Sequence, residues 1–176
     1  MGSASYVIGL GSNRPHGRHG RPRTVIVAAI EALRTEGLKV HTVSATIRTP
    51  ALGPSSRDFA NAAVKVESDL APPMLLALLK RIEQRFGRRR GQRWGARVLD
   101  LDILAWSEGA WPPTPRRAPA GRLTVPHAAL PLRDFALAPA AAIAPGWHHP
   151  LGHRTLRQLE GRLRKARPVD RRRSDQ

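Results

Sequence analysis

The sequence predicts an α+β fold: an antiparallel sheet with two helices on one face, and further helices toward the C-terminus. Three observations predict it. Extended, β-branched runs alternate with two helical periodicities in one fixed order. The chain has 176 residues and 41% hydrophobic content, which suits one domain with one core. No internal repeat interrupts the order.

The first strand is Ser5–Leu10, "SYVIGL", ending in the turn "GSN". Residues 14–22, "RPHGRHGRP", form a basic loop. Thr24 to Leu33 places Ile26, Ala29, Ile30 and Leu33 at helical spacing, and Gly37 stops the helix. "LKVHTVSATIRT" (38–49) reads as a second strand, and "PALGPSSRD" (50–58) as a loop. "FANAAVKVES" (59–68) is the third strand. Pro72 and Pro73 suit a helix start. Leu75, Leu76, Leu79, Ile82 and Phe86 then trace one face as far as Gly87. After the basic loop "GRRRGQR" (87–93), Val98 to Trp106 is the fourth strand. This β-α-β-β-α-β order is the ferredoxin-like, split-βαβ pattern. A proline-rich stretch (112–121) and a short extended piece, "LTVPH" (123–127), precede helices at Arg133–Ile143 and about Thr155–Ala166. Residues 1–153 are expected to be the functional domain, and 154–176 a basic helix and a disordered tail.

The chain has no cysteine, which excludes disulfides, thiolate zinc sites and cysteine nucleophiles. No apolar run approaches the roughly 20 residues of a membrane span, and the start lacks the regions of a signal peptide. A cytoplasmic protein is expected, and a monomer is the simplest assembly. The formal charge is +17, almost all from arginine. Such a field attracts polyanions: nucleic acid, anionic membrane or polyphosphate substrates. Arginine-heavy, lysine-poor composition is also what a GC-rich genome's codon usage produces.

The stretch "RWGARVLDLDILAW" (93–106) does not fit an ordinary strand. Side chains alternate between faces, so Val98, Asp100, Asp102 and Leu104 share one face, and Leu99, Leu101 and Ile103 the other. The two carboxylates lie roughly 6–7 Å apart along the strand. Both can reach one hard cation, or two cations close together. Magnesium takes oxygen ligands of this kind, with substrate phosphates completing its shell. An ordinary solvent-facing strand can also carry two acids, but this chain has 13 acidic groups against 30 basic ones, which makes their pairing notable. Arg93 and Arg97 lie just upstream. A metal–phosphate site needs this mixture of acids and guanidiniums. A salt-bridge network without any ligand is the alternative.

"RWGARVLDLDIL" resembles the signature of the 6-hydroxymethyl-7,8-dihydropterin pyrophosphokinase family of folate synthesis. Arg93, Gly95, Ala96, Arg97, Asp100, Leu101, Asp102, Ile103 and Leu104 fit its pattern. "GSN" (11–13), "RTPALGP" (48–54), "FANAAV" (59–64), "RIEQRFGR" (81–88) and "RLTVPH" (122–127) resemble the family's other blocks, in the family's order. The resemblance covers roughly residues 5 to 150.

The resemblance implies transfer of a pyrophosphoryl group from ATP to the pterin's hydroxymethyl group, by attack at the β-phosphorus, with release of AMP. It implies two magnesium ions held by Asp100 and Asp102, with Arg90 and Arg97 as further catalytic groups. It implies a pterin pocket of Phe59 and Phe135 as the ring sandwich, Asn61 at the ring edge, and backbone groups of Thr49, Pro50 and Leu52. It implies ATP contacts from Glu83, Arg90, Arg93, Trp94, Arg97, His127 and Arg133. Glu83 would accept on the base or ribose side, and the arginines of 88–97 would close over the phosphates. The partners expected are ATP and 6-hydroxymethyl-7,8-dihydropterin, with no membrane and no obligate nucleic acid. Some positions depart from the family pattern. Lys80 stands where glutamine is expected, and Ala128 where an aromatic residue is often found. The 107–121 segment is longer and richer in proline than expected.

The main rival is an RNA-binding ferredoxin-like module, supported by the charge and by the "RLRKARPVDRRR" tail. Such a module wants several stacked aromatics in a basic strand motif. None is present, and the fourth strand carries acids instead. A dinucleotide-binding turn fails because "GLGSNR" has Arg14 where the third glycine belongs. "HHPLGH" (148–153) reads as a polar loop rather than a metal site.

Overall fold

The computed structural model describes residues 2–50, 58–87, 97–113, 122–150 and 152–166. Five strands and four α-helices follow one another as β1 (Ala4–Ser12), α1 (Pro22–Thr35), β2 (Lys39–Val43), β3 (Ile47–Thr49), β4 (Phe59–Ser68), α2 (Pro72–Arg85), β5 (Asp100–Trp106), α3 (Asp134–Ile143) and α4 (Leu156–Ala166). The sheet order is β2-β4-β1-β5, with β3 also paired to β4, and every pairing is antiparallel. This is the ferredoxin-like arrangement that the order of elements predicts.

The ends of α1 and α2 follow from their sequences. Pro22 and Pro72 sit at the first helical position, where a missing N–H costs nothing. Gly37 and Gly87 lie just beyond the last turns at φ +88° and +81°, a region that favours glycine. The Leu38 N–H then returns to the Leu33 carbonyl, closing α1.

The sheet has two covered faces. On one, Tyr6, Ile8, Val64, Leu101 and Ile103 are buried against Ile26 and Leu33 of α1 and Leu75, Leu79 and Ile82 of α2. On the other, Val7, Ala63, Leu104 and Ala105 pack against Leu130, Leu137, Ala140 and Leu156. Helix α4 joins this second core through Leu156, Leu159 and Leu163. Helix α3, backed by α4, thus packs on the sheet face that an RNA-binding module would leave open.

Four sequence expectations change. The first strand does not end in a turn at "GSN" but runs on to Ser12, with Gly11 and Ser12 paired in the ladder to β4. The run 38–49 is two strands, not one, because Ser44 interrupts the ladder. Its N–H donates to the Ala63 carbonyl, but its hydroxyl, not its carbonyl, accepts from the Ala63 N–H. Val98 does not share the face of Asp100. It packs against the first core, because the strand begins only at Asp100 and alternation does not reach back to it. Near its far end β5 shifts register against β1, between Val7–Ala105 and Ile8–Ile103. Leu104 and Ala105 therefore both reach the second core. No helix among the described residues is long and apolar enough to cross a membrane.

Candidate active site

A cavity of about 400 Å³ opens where β1, β4 and β5 meet the start of α3. The pleat brings Asp100 and Asp102 of β5 to its wall, opposite Gly11 and Gly9 of β1. No side chain rises from those two β1 positions. A Cβ on Gly11 would lie 3.3 Å from Asn61 Oδ1, and one on Gly9 would lie 3.1 Å from Leu104 Cδ1. The floor therefore stays low between the acids on one side and Asn61 on the other.

The acidic side is braced by an arginine. Arg97 donates to Asp100 Oδ2 at 2.7 Å. The Arg97 backbone is itself clasped by Asn13. The Arg97 N–H donates to Asn13 Oδ1 at 2.8 Å, and the Asn13 N–H to the Arg97 carbonyl at 3.1 Å. Asn13 is almost fully buried, so this clasp is shielded from water.

The opposite side of the cavity is flat and partly apolar. Phe59 of β4, Phe135 of α3, Thr49 and Pro50 line it, with Asn61 at its base. Asn61 Nδ2 donates to Thr49 Oγ1 at 2.8 Å, which fixes the amide plane. Arg133 lies 5.8 Å from the centre of the Phe135 ring. The ring and the guanidinium thus present one face to the cavity mouth.

His127 completes the wall. Its N–H donates to the Leu104 carbonyl, and its Nδ1 accepts from the Ala129 N–H at 3.2 Å. The neutral ring therefore carries its proton on Nε2. Burial pushes its pKa below the ordinary histidine value, aided by the nearby Arg133, while Asp102 and Asp100 oppose the shift.

Ten of the residues singled out from the sequence thus line one cavity: Thr49, Pro50, Phe59, Asn61, Phe135, Asp100, Asp102, Arg97, His127 and Arg133. Leu52, Arg90, Arg93 and Trp94 lie outside the described residues. Glu83 does not fit its expected place on the nucleotide side. It is fully buried on the far face of β5, where its Oε1 accepts from the Leu101 N–H and from Lys80 Nζ, each at 2.7 Å. Asn13, Gly9 and Gly11 are site residues that the sequence reading did not single out. For Gly11 and Asn13 the one signal was the "GSN" block itself.

The described residues contain no group of three or more His, Asp or Glu side chains that would cage a metal. Two carboxylates with an open cavity before them fit a hard cation that draws its other ligands from water and phosphate. They do not fit a closed structural metal site.

Residues 7–145 match the model of the family described as 7,8-dihydro-6-hydroxymethylpterin-pyrophosphokinase (HPPK). The chain is 39% identical over 132 residues to a Synechocystis 2-amino-4-hydroxy-6-hydroxymethyldihydropteridine pyrophosphokinase, covering 75% of this chain and 64% of that protein. It is 39% identical over 158 residues to the protein of the same name from Methylorubrum extorquens, covering 89% and 91%. Among solved structures, Plasmodium falciparum HPPK-DHPS with SDX-DHP superposes with a TM-score of 0.67 at 13% identity. That match covers 92% of this chain and 44% of the larger one, and it shows a shared fold. The chain therefore spans a little under two thirds of one relative and nearly all of another. With residues 7–145 matching the family model and relatives 39% identical over most of the chain, the chain belongs to the 7,8-dihydro-6-hydroxymethylpterin-pyrophosphokinase family.

Proposed function

We propose that this protein transfers the pyrophosphoryl group of ATP to the hydroxymethyl oxygen of 6-hydroxymethyl-7,8-dihydropterin. The products are the pterin diphosphate and AMP, and two magnesium ions serve the reaction. One observation carries the proposal. Two carboxylates and a flat aromatic-and-amide pocket share a single cavity, separated by the bare backbone of Gly11. A planar heterocycle bearing a short hydroxymethyl arm needs that pairing. Its ring lies between Phe59 and Phe135, its edge meets Asn61, and its arm reaches toward the acids.

Asp100 and Asp102 would hold the magnesium ions. These supply charge neutralisation for the polyphosphate and its leaving group. Arg97 has a second role open to it. Held beside Asp100, its guanidinium lies in the cavity where it would meet a phosphate oxygen. His127 would donate from Nε2 to a phosphate oxygen, and Arg133 would add positive charge at the mouth. Arg90, Arg93 and Trp94, from the loop before Arg97, are proposed to join on the ATP side, and Leu52 on the pterin side. No side chain is assigned as general base. Positioning and electrostatics are proposed to supply most of the rate. Residues 1–153 carry every group named here.

The deciding experiment is a product assay with ATP, magnesium and the reduced hydroxymethylpterin. AMP and the pterin diphosphate are expected in equal amounts. ADP as the nucleotide product, or no turnover, would sink the proposal.

A further inference from the structure

Among the described residues strand β5 is the edge of the sheet, with a neighbouring strand on one side of its backbone only. At Leu101, between the two aspartates, the outward N–H and carbonyl are both taken by α2. The Leu101 N–H donates to Glu83 Oε1 at 2.7 Å, and Lys80 Nζ donates to the Leu101 carbonyl at 3.1 Å. Lys80 also donates to Glu83 Oε1 at 2.7 Å, which closes the ring of contacts. A buried acid with a salt-bridged lysine one helical turn earlier thus does for one residue what a further paired strand would do.

The position of this ring matters more than its strength. The Leu101 N–H belongs to the peptide plane shared with Asp100, and its carbonyl to the plane shared with Asp102. Holding both planes from outside the sheet fixes the backbone on each side of Leu101, and with it the directions in which the two aspartate side chains leave the strand. Lys80 reaches this point from the surface, with its side chain about a third exposed, while Glu83 has no exposure. The charged pair lies on the core face of β5, and the aspartates on the cavity face.

The geometry points to Lys80 and Glu83 as positioning residues for the divalent-cation site. They hold Asp100 and Asp102 at the separation the cation needs, without touching cation or substrate. The inference deepens the proposed function and rests on the two aspartates being the cation ligands. Groups that orient metal ligands in this way commonly affect metal affinity or activity by about 10–100-fold.

The test measures binding of Mn2+, as a paramagnetic stand-in for Mg2+, to the whole chain with a non-hydrolysable α,β-methylene analogue of ATP. Lys80→Met keeps the aliphatic stem and removes the donor. It is expected to weaken Mn2+ binding about tenfold while the far-ultraviolet circular dichroism stays that of the parent. Lys80→Gln keeps a neutral donor able to reach the Leu101 carbonyl and should stay within about threefold of the parent, since the hydrogen bond to the carbonyl is kept. Equal Mn2+ affinity in the parent and Lys80→Met would overturn the inference. So would a loss in Lys80→Gln as large as that in Lys80→Met, because the donor would then not be the cause. Glu83→Gln is a second variant, since its amide oxygen can still accept from the Leu101 N–H. If it folds, it should weaken Mn2+ binding less than Lys80→Met does. AMP formation by the parent separates this inference from the reaction itself. Mn2+ binding that follows Lys80 in a parent that forms no AMP would uphold the clasp and reject the reaction. AMP formation with Mn2+ binding indifferent to Lys80 would do the reverse.

Discussion

Asn61 and Asp100 stand in one row of the sheet on either side of Gly11, which pairs with Asn61 on β4 and with Asp100 on β5. An alanine Cβ at position 11 would lie 3.3 Å from Asn61 Oδ1 and 4.0 Å from Asp100 Cβ. The amide-and-aromatic side and the acidic side of the cavity are therefore brought together by the absence of one side chain. Antiparallel strands sit only about 5 Å apart, so any side chain at this position would stand between Asn61 and the acids.

Gly11→Ala should consequently impair the site without unfolding the sheet. The contact with Asn61 is tight by a few tenths of an ångström, and the Asn61 amide is held by Thr49 Oγ1 at 2.8 Å. Displacing that amide should raise KM for the pterin about tenfold, with ATP affinity close to that of the parent. Steady-state kinetics with each substrate varied in turn would check it. Gly146→Ala, where an added Cβ meets nothing within 4 Å, is the control and should leave both constants alone.

Asp100→Ala and Asp102→Ala should each reduce turnover by on the order of a thousandfold or more, because charge stabilisation by the metal is worth several kcal/mol. Thermal unfolding should shift little, since both side chains face the cavity and not the core. Turnover within tenfold of the parent in either variant would contradict the metal role. Asp100→Ala should also change Arg97, which loses its 2.7 Å partner. ATP binding without magnesium should then tighten or hold steady in this variant, as an acid that repels phosphate is gone. Equilibrium binding of ATP in the presence of a chelator measures that directly.

Removing one ring of the proposed sandwich should separate the two substrates. Stacking on an aromatic side chain contributes about 1–3 kcal/mol per heterocycle, so Phe59→Ala should weaken pterin binding by roughly 10–100-fold. Phe135→Ala should do the same, and it should also disturb the adjacent Arg133, 5.8 Å from the ring centre. A small secondary loss in ATP affinity is therefore expected for Phe135→Ala and not for Phe59→Ala. Calorimetric titration of each substrate into each variant would distinguish them.

Much of this was legible in the sequence, and the reasons for the rest are local. Alternation alone assigned Leu99, Leu101 and Ile103 to the core and Asp100 and Asp102 to the opposite face, because a strand has a fixed period of two. That reasoning failed at Val98, which precedes the strand, and it could not foresee the register shift that sends both Leu104 and Ala105 to one face. The break at Ser44 was hidden because a serine hydroxyl in place of a ladder partner leaves no mark on hydrophobic patterning. Family resemblance pointed to Phe59, Asn61 and Phe135, which periodicity would have read as ordinary packing. Glu83 was placed on the base or ribose side of ATP by the resemblance, which carries no information about burial. Its burial depends on β5 arriving from elsewhere in the chain, with a peptide N–H in need of an acceptor. Gly9 and Gly11 carry no side chain to notice, so their part in the cavity emerged from what a Cβ would strike.

Tyr6, on the other side of β1 from the cavity, offers a test of the packed core itself. It is fully buried, its hydroxyl donates to the Leu70 carbonyl at 2.5 Å, and its ring stacks on Trp106 with centroids 6.2 Å apart. Burial, with a smaller contribution from Glu108, pushes its pKa from 10.0 up to about 12. The folded protein therefore holds the phenolic proton across a range in which the unfolded chain releases it. The stability this represents is complete below pH 10 and is lost progressively as pH rises through about 12. A shift of that size corresponds to roughly 3 kcal/mol. The chain has one tyrosine, so its tyrosinate absorbance reports a single group. Spectrophotometric titration of the native protein should show no ionisation near pH 10, and the protein in denaturant should titrate there. Tyr6→Phe should cost about 1 kcal/mol at neutral pH, for the lost hydrogen bond, and should flatten the alkaline fall in stability. Ionisation near pH 10 in the native protein would show that this corner of the core admits water.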